Sequence, residues 1–157
     1  MLIIRKLIMG ACGMKPLHYL LMKTHTNLNR WILSQAAELG LTSGQPKILE
    51  CLMARGECNQ KTIAADCEIE QATVGSILSR MERDGLICRT QREGNRRSLY
   101  VSLTPRGRQL GEKMQAVFQQ ADDMVCAQLT AEQQRQLEIL LEAVLASMAS
   151  ERRGELA

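Results

Sequence analysis

Six cysteines, two histidines and a knot of arginines are the residues of this 157-residue chain whose types could do chemistry. The cysteines stand at 12, 51, 58, 67, 88 and 126. No Cys-x-x-Cys occurs, so neither a zinc knuckle nor a thioredoxin-type dithiol is spelled out. Several sit in apolar company, where a free thiol behaves as a small hydrophobe, and in a cytoplasm they stay reduced. His18 and His25 are seven residues apart. On a helix that spacing gives one face but a separation of about 10 Å, too far to chelate one metal ion. No metal site and no cofactor is expected. A glycine-rich phosphate loop, a nucleophile–base set and a carboxylate pair in a recognisable context are all missing, so the chain does not read as an enzyme. What remains is Arg92, Arg96 and Arg97, crowded into one short segment, a chemistry suited to phosphate.

Charge distribution sharpens that reading. The net charge is only +3, but residues 79–111 carry eight basic and three acidic residues, whereas residues 112–157 carry four and eight. Residues 1–41 are basic by +4 and residues 42–78 acidic by −2. A hydrophobic fraction of 45% fits a globular chain, and an aromatic fraction of 3% makes its core aliphatic and Met-rich. The longest uncharged apolar run, residues 7–14, is far short of the ~20 residues of a membrane span. Arg5 and Lys6 interrupt the apolar start, and no small-residue cleavage pattern follows. The chain therefore reads as cytoplasmic, with no membrane partner.

Hydrophobic periodicity supplies the elements that position these residues. Leu17, Leu20, Leu21, Leu28, Trp31 and Ile32 recur at three- and four-residue steps, predicting a helix from Pro16 to about Ala37, stopped by Gly40. Thr42 to Gln45 reads as a capping box with Thr42 as N-cap, opening a second helix that turns Ile48, Leu49 and Leu52 inward. A third helix starts around Asn59, and a fourth runs from about Gln71 to Arg83, ending at Asp84-Gly85. The period then changes to two: a strand near Leu86–Thr90, a charged loop over residues 91–97, and a strand through Leu99, Val101 and Leu103. Thr104-Pro105 opens a long helix. Thr130 to Gln133 is another capping box, before a helix carrying Leu137, Leu140, Leu141, Val144, Leu145 and Met148.

Helix, break, helix, then a hairpin with a basic tip is the order of a winged helix-turn-helix, here over residues 42–104. The expected fold is mainly α with a small β-hairpin wing, flanked by dimerisation helices. The expected division is an N-terminal tail (1–15), a dimerisation helix (16–41), the DNA-binding domain (42–104), C-terminal dimerisation helices (105–150) and a tail (151–157), one compact domain overall. The apolar stripes on the flanking helices need a partner. A second copy would bury them and place two readers about a two-fold axis.

These pieces together resemble a known family. Leu41-Thr42 with Gln45, Ala72-Thr73-Val74, the run Arg80 to Ile87, Arg89, Asn95-Arg96-Arg97 and Val101 to Arg108 are similar, in order and spacing, to the multiple-antibiotic-resistance regulator (MarR) family of bacterial transcription factors. The resemblance implies a sequence-specific regulator of double-stranded DNA, a repressor relieved by a small ligand. On the fourth helix Val74, Ile77, Leu78 and Met81 form an inward face. The opposite side offers Gln71, Ala72, Thr73, Ser76 and Arg80 to base edges or phosphates of a pseudo-palindromic operator. Gly75, which costs about 1 kcal/mol relative to alanine within a helix, fits a close approach to DNA. In the wing the candidates are Arg92, Arg96 and Arg97, and the resemblance implies that Arg97 enters the minor groove. The family's usual aspartate is replaced by Asn95, which removes a salt bridge to that arginine.

The resemblance also implies a cleft for a small aromatic or anionic ligand bordered by the first helix, with His18, His25 and Trp31 as its candidates. Some relatives sense oxidants through a cysteine near that helix, for which Cys12 is the nearest candidate. Two alternatives stand beside the ligand-relieved repressor: a winged-helix protein-interaction module, kept alive by the acidic residues Glu57, Asp66, Glu68 and Glu70, and a thiol-based redox-sensing regulator.

Overall fold

The computed structural model describes residues 15–92 and 95–154, for the backbone alone at 92, 95–98 and 151–154. The expected N-terminal tail falls outside these residues except for Lys15. Helix α1 spans Leu17–Glu38 and α2 Gln45–Arg55; a two-residue strand β1, Cys58–Asn59, precedes α3, Gln60–Cys67. Then follow α4 (Gln71–Arg83), β2 (Ile87–Arg92), β3 (Asn95–Leu103), α5 (Pro105–Cys126) and α6 (Ala131–Gly154). Two compact units divide the chain, one up to Ala121 and one from Asp122. No helix of the described residues is long and apolar enough to cross a membrane.

Helix ends follow local chemistry, with one departure from expectation. Pro16 sits ahead of α1, and Gly40 takes φ +75° just past its end. Gln45 reaches back as expected, its Oε1 accepting from the Thr42 N–H at 2.7 Å. The N-cap itself is Gly44, not Thr42, because the chain turns through a left-handed conformation there that glycine adopts without strain. Asn59 caps α3, its Oδ1 accepting from the Thr62 N–H at 2.9 Å. In the second unit the Thr130 and Gln133 side chains satisfy each other's backbone N–H groups, a complete capping box.

The sheet has three strands in the order β1-β3-β2, all antiparallel. Ile87 pairs with Leu103 and Arg92 with Asn95, with an irregularity between Gln91 and Arg92. The hairpin therefore reaches further into residues 91–97 than the expected loop. β1 pairs Cys58 with Val101 and closes the root of the wing against the helix-turn-helix.

The core of the first unit gathers Ile48, Leu49 and Leu52 of α2, Ile63 of α3, and Val74, Ile77, Leu78 and Met81 of α4. Val101 of β3 and Met114 of α5 complete it, each at most 1% exposed. Burying side chains of this size stabilises by about 1.5–3 kcal/mol each relative to leaving them in water. The N-terminal half of α1 does not share in it: Leu17, Leu20 and Leu21 are exposed. In the second unit Leu137, Ile139, Leu140, Leu141, Leu145 and Met148 of α6 are exposed as well.

One junction locks α4, the hairpin and α5 together. The Leu86 N–H bonds the Met81 carbonyl at 2.8 Å, and the Leu86 carbonyl accepts from the Thr104 N–H at 3.1 Å. The Thr104 hydroxyl donates to the Gly85 carbonyl at 2.7 Å and accepts from the Gly107 N–H at 3.0 Å, capping α5. A Cβ at Gly107 would fall 1.9 Å from the Leu86 carbonyl oxygen, so no other residue fits. Gly107→Ala forces α5 off this junction. It is expected to cost about 3 kcal/mol and to lower the melting temperature by roughly 10 °C, read by circular dichroism at fixed protein concentration; an unchanged melt would show that the junction yields freely.

Candidate nucleic-acid interface

Helix α4 is oriented by its own sequence. Val74, Ile77, Leu78 and Met81 recur at helical spacing and are all buried, which fixes the rotation of the helix about its axis. Gln71, Ala72, Thr73, Ser76, Ser79 and Arg80 are left exposed on the other side. The Ser76 and Ser79 hydroxyls donate to the carbonyls of Ala72 (3.3 Å) and Gly75 (3.0 Å). Their protons are thereby spent within the helix, and what their oxygens can still do is accept. Arg80 and Arg83 occupy the last turn, where cations offset the helix dipole.

The turn before α4 is tight. Glu68 adopts the left-handed conformation, φ 52°, and three residues later the helix begins. Gln60 of α3 bridges the turn, its Nε2 donating to the Gln71 carbonyl at 3.0 Å. A Cβ on Gly75 would sit 3.2 Å from that same nitrogen. Gly75 is thus half-buried against the Gln60 side chain of α3.

Arg89 of β2 ties the wing to the helix. Its Nη2 donates to the Ser79 hydroxyl at 3.1 Å, and its Nε lies 3.5 Å from a Glu82 carboxylate oxygen. This side chain is 19% exposed, and its place in a motif along the chain gives no sign of that tie. Arg92 ends β2, and Arg96 and Arg97 lie in β3; their side chains are outside the described part.

A cavity of about 430 Å³ opens within the first unit between α1, α2 and α5. His25, Asn29, Ile32, Lys47, Ile69 and Phe118 are among its walls. His25 is thus placed at a cavity, while His18 and Trp31 are not among its lining residues. Lys47 and Asn29 were missed because each lies on an otherwise unremarkable polar face. Gly44 also lines this cavity, and a Cβ there would lie 2.5 Å from Ile77 Cδ1. The cavity floor therefore rests directly on the buried face of α4.

Comparison with known proteins gives this arrangement a context. The family model described as MarR family matches residues 41–99. The HTH-type transcriptional repressor Rv2887 of Mycobacterium tuberculosis is 31% identical over 134 residues, 85% of this chain and 96% of its own. The homoprotocatechuate degradative operon repressor of Escherichia coli is 36% identical over 106 residues, 68% of this chain and 72% of its own. This chain belongs to the MarR family. The M. tuberculosis MarR-family protein has been solved with DNA (29% identity, TM-score 0.68, 83% of this chain and 98% of that one). It has also been solved with salicylic acid (30%, 0.66, 83% and 97%). As a MarR-family member the protein is a DNA-binding transcriptional regulator with a winged helix, and not an enzyme.

Thiol reactivity is held down in the same unit. Burial pushes the Cys51, Cys58 and Cys67 thiols up from their ordinary value, and nearby Asp66 adds to the shift. They rest as neutral thiols, the form that does not attack peroxides. Cys88 is exposed on β2, its Sγ 3.2 Å from the Ser102 hydroxyl, and Cys126 ends α5. Cys12 lies outside the described residues.

Because Arg89 faces Ser79 and Glu82, its loss should act through the wing's position. Arg89→Met is expected to weaken operator binding about five- to tenfold, roughly the worth of one charge-assisted hydrogen bond. The slope of log K against log salt should stay as in the parent. A slope flattened by about one would instead make Arg89 a phosphate contact.

Proposed function

We propose that this regulator is a cytoplasmic homodimeric repressor that reads a pseudo-palindromic operator and leaves it when a small aromatic anion binds. The exposed polar face of α4, set opposite its buried stripe and laced to the wing by Arg89, is the observation that carries this reading. Gln71, Ala72, Thr73, Ser76 and Arg80 enter the major groove, where small side chains let the helix sink deep. Arg92, Arg96 and Arg97 take phosphates and the adjacent minor groove. The dimer buries the exposed leucines of α1 and α6 and sets half-sites about one helical turn apart. A domain division into flanking dimerisation helices and a reader over residues 42–104 follows from the same arrangement.

The ligand class follows from the cavity. Apolar walls from Ile32, Ile69 and Phe118 suit a ring, and Lys47 and His25 suit a carboxylate. The related M. tuberculosis protein holds salicylic acid. A ligand filling this space presses on Gly44, and through it on Ile77, which shifts α4 against the wing. That gives the ligand different contacts in the DNA-bound and released states, the requirement for coupling.

Gel shifts on the promoter of the protein's own gene test the DNA reading. Binding is expected to fall steeply with salt, and the double substitution Arg96→Ala, Arg97→Ala should reduce the slope by about two. Affinity no better than for random DNA, or a slope untouched by those substitutions, would favour a winged-helix protein-interaction module. Salicylate should release the operator, with Lys47→Ala raising the concentration needed about tenfold through loss of one charged contact. Release that is indifferent to Lys47 would remove this cavity as the ligand site.

A further inference from the structure

Lys47 stands against the local rule of its own helix. It lies in the first turn of α2, where the helix dipole disfavours a cation. Its ammonium reaches instead to the far end of α3. There the Nζ donates to the Cys67 carbonyl at 3.4 Å, and the Cys67 Sγ returns a bond to the Lys47 carbonyl at 3.5 Å. The last carbonyls of a helix lack intrahelical partners and carry its negative pole. The N–H groups of Glu68 and Ile69 turn back to the Ala65 and Ala64 carbonyls, at 3.3 and 3.0 Å. They leave the Cys67 carbonyl to another donor, and Lys47 supplies it.

The same side chain borders two cavities. One is the space of about 430 Å³ between α1, α2 and α5, which Ile69 and Phe118 also line. The other, about 330 Å³, lies toward α3 and sets Glu50, Asp66 and Glu68 against Lys47 and Arg55. Carboxylates outnumber cations there, and Asp66 is ion-paired with Arg55. That balance favours the ammonium on the α3 side. Lys47 is exposed, so it changes partners without unpacking a core. Its bond to Cys67 is long, whereas an ammonium and a carboxylate close to about 2.7–2.9 Å with charge on both sides. A ligand carboxylate therefore takes the ammonium from the carbonyl.

We propose that Lys47 is shared between fold and ligand: in the ligand-free protein it steadies the end of α3, and an aromatic carboxylate in the larger cavity draws it away. Glu68, next to Cys67, makes the left-handed turn, and α4 begins three residues on. Lys47 is thus a positioning residue for the recognition helix before it is a ligand contact. Capture of the anion takes the cation from the negative pole of α3 and loosens the turn in the same event. The ligand then has different contacts in the two states, which coupling requires. This inference rests on the cavity and operator readings above.

Backbone carbonyl resonances of the full chain, read by NMR without DNA, test the exchange with salicylate as the probe. Saturation is expected to move the Cys67 carbonyl resonance toward its position in Lys47→Met, a variant that keeps the stem and removes the charge. In Lys47→Met itself, once salicylate fills the cavity, that resonance should stay in place. Ile32 of α1 and Phe118 of α5 line the cavity and report its filling. If they respond and the Cys67 carbonyl does not, the proposal falls. If none of the three responds, the cavity is not the salicylate site, and the cavity reading falls together with the proposal.

Operator binding without ligand is the second arm. Lys47→Met is expected to weaken it about threefold, the worth of a cation at a helix C-terminus, with the salt slope unchanged. An affinity equal to the parent's makes Lys47 a ligand contact only, and a slope flattened by about one makes it a phosphate contact. Either result overturns the proposal. A parent chain whose Cys67 carbonyl responds to salicylate but which never binds an operator supports the exchange and counts against the operator reading instead.

Discussion

The peptide of Leu86 is the point on which the reading surface depends. Its N–H closes the recognition helix onto Met81, and its carbonyl holds the Thr104 N–H where the third strand ends. The following helix reaches the same carbonyl only because Gly107 has no side chain. Three directions are set at once: the axis of α4, the exit of the wing and the start of α5. A regulator that reads DNA needs helix and wing at a fixed relative angle, since an error of an ångström at this root grows along the hairpin. Arg89 adds a second tie further out, between β2 and the exposed side of α4.

Rotation of α4 about its own axis is a separate constraint, and apolar burial settles it. Val74, Ile77, Leu78 and Met81 contribute several kcal/mol together by staying out of water. Turning the helix by one residue would expose part of that stripe. Polar contacts on the outer side are individually weaker, so they cannot set the orientation and are free to serve a partner. Division of labour along one helix follows: the buried face determines where Thr73, Ser76 and Arg80 point, and their chemistry determines what is met there.

Much of this was legible in the sequence, for a physical reason. Periods near 3.6 and 2 are imposed by burial on one face, so the helices and the hairpin announced themselves, and α4 was placed from Gln71 to Arg83 as observed. Strand β1 was not legible, because two residues, Cys58 and Asn59, are too few to show a period. Thr42 reads as an N-cap by type, but the left-handed turn at Gly44 takes that place. The neighbour of Gly75 was not legible either, because Gln60 comes from another helix. Likewise the sequence put His18, His25 and Trp31 on one helix, whereas the cavity draws its walls from α1, α2 and α5. Spacing describes neighbours along an element; it is silent about which elements meet.

The cavity between α1, α2 and α5 leans on a support of α4 and not on its exposed face, with Gly44 in its wall against Ile77. A small molecule held there need not compete with DNA for the same surface. It needs only to be better accommodated when α4 is displaced, and packed interiors favour two discrete arrangements over a continuous yield. Ile77 is 3% exposed and lies against Gly44, so the cavity wall and the buried stripe of α4 share one packed contact. The tight packing that aims the recognition helix therefore also joins it to the cavity wall.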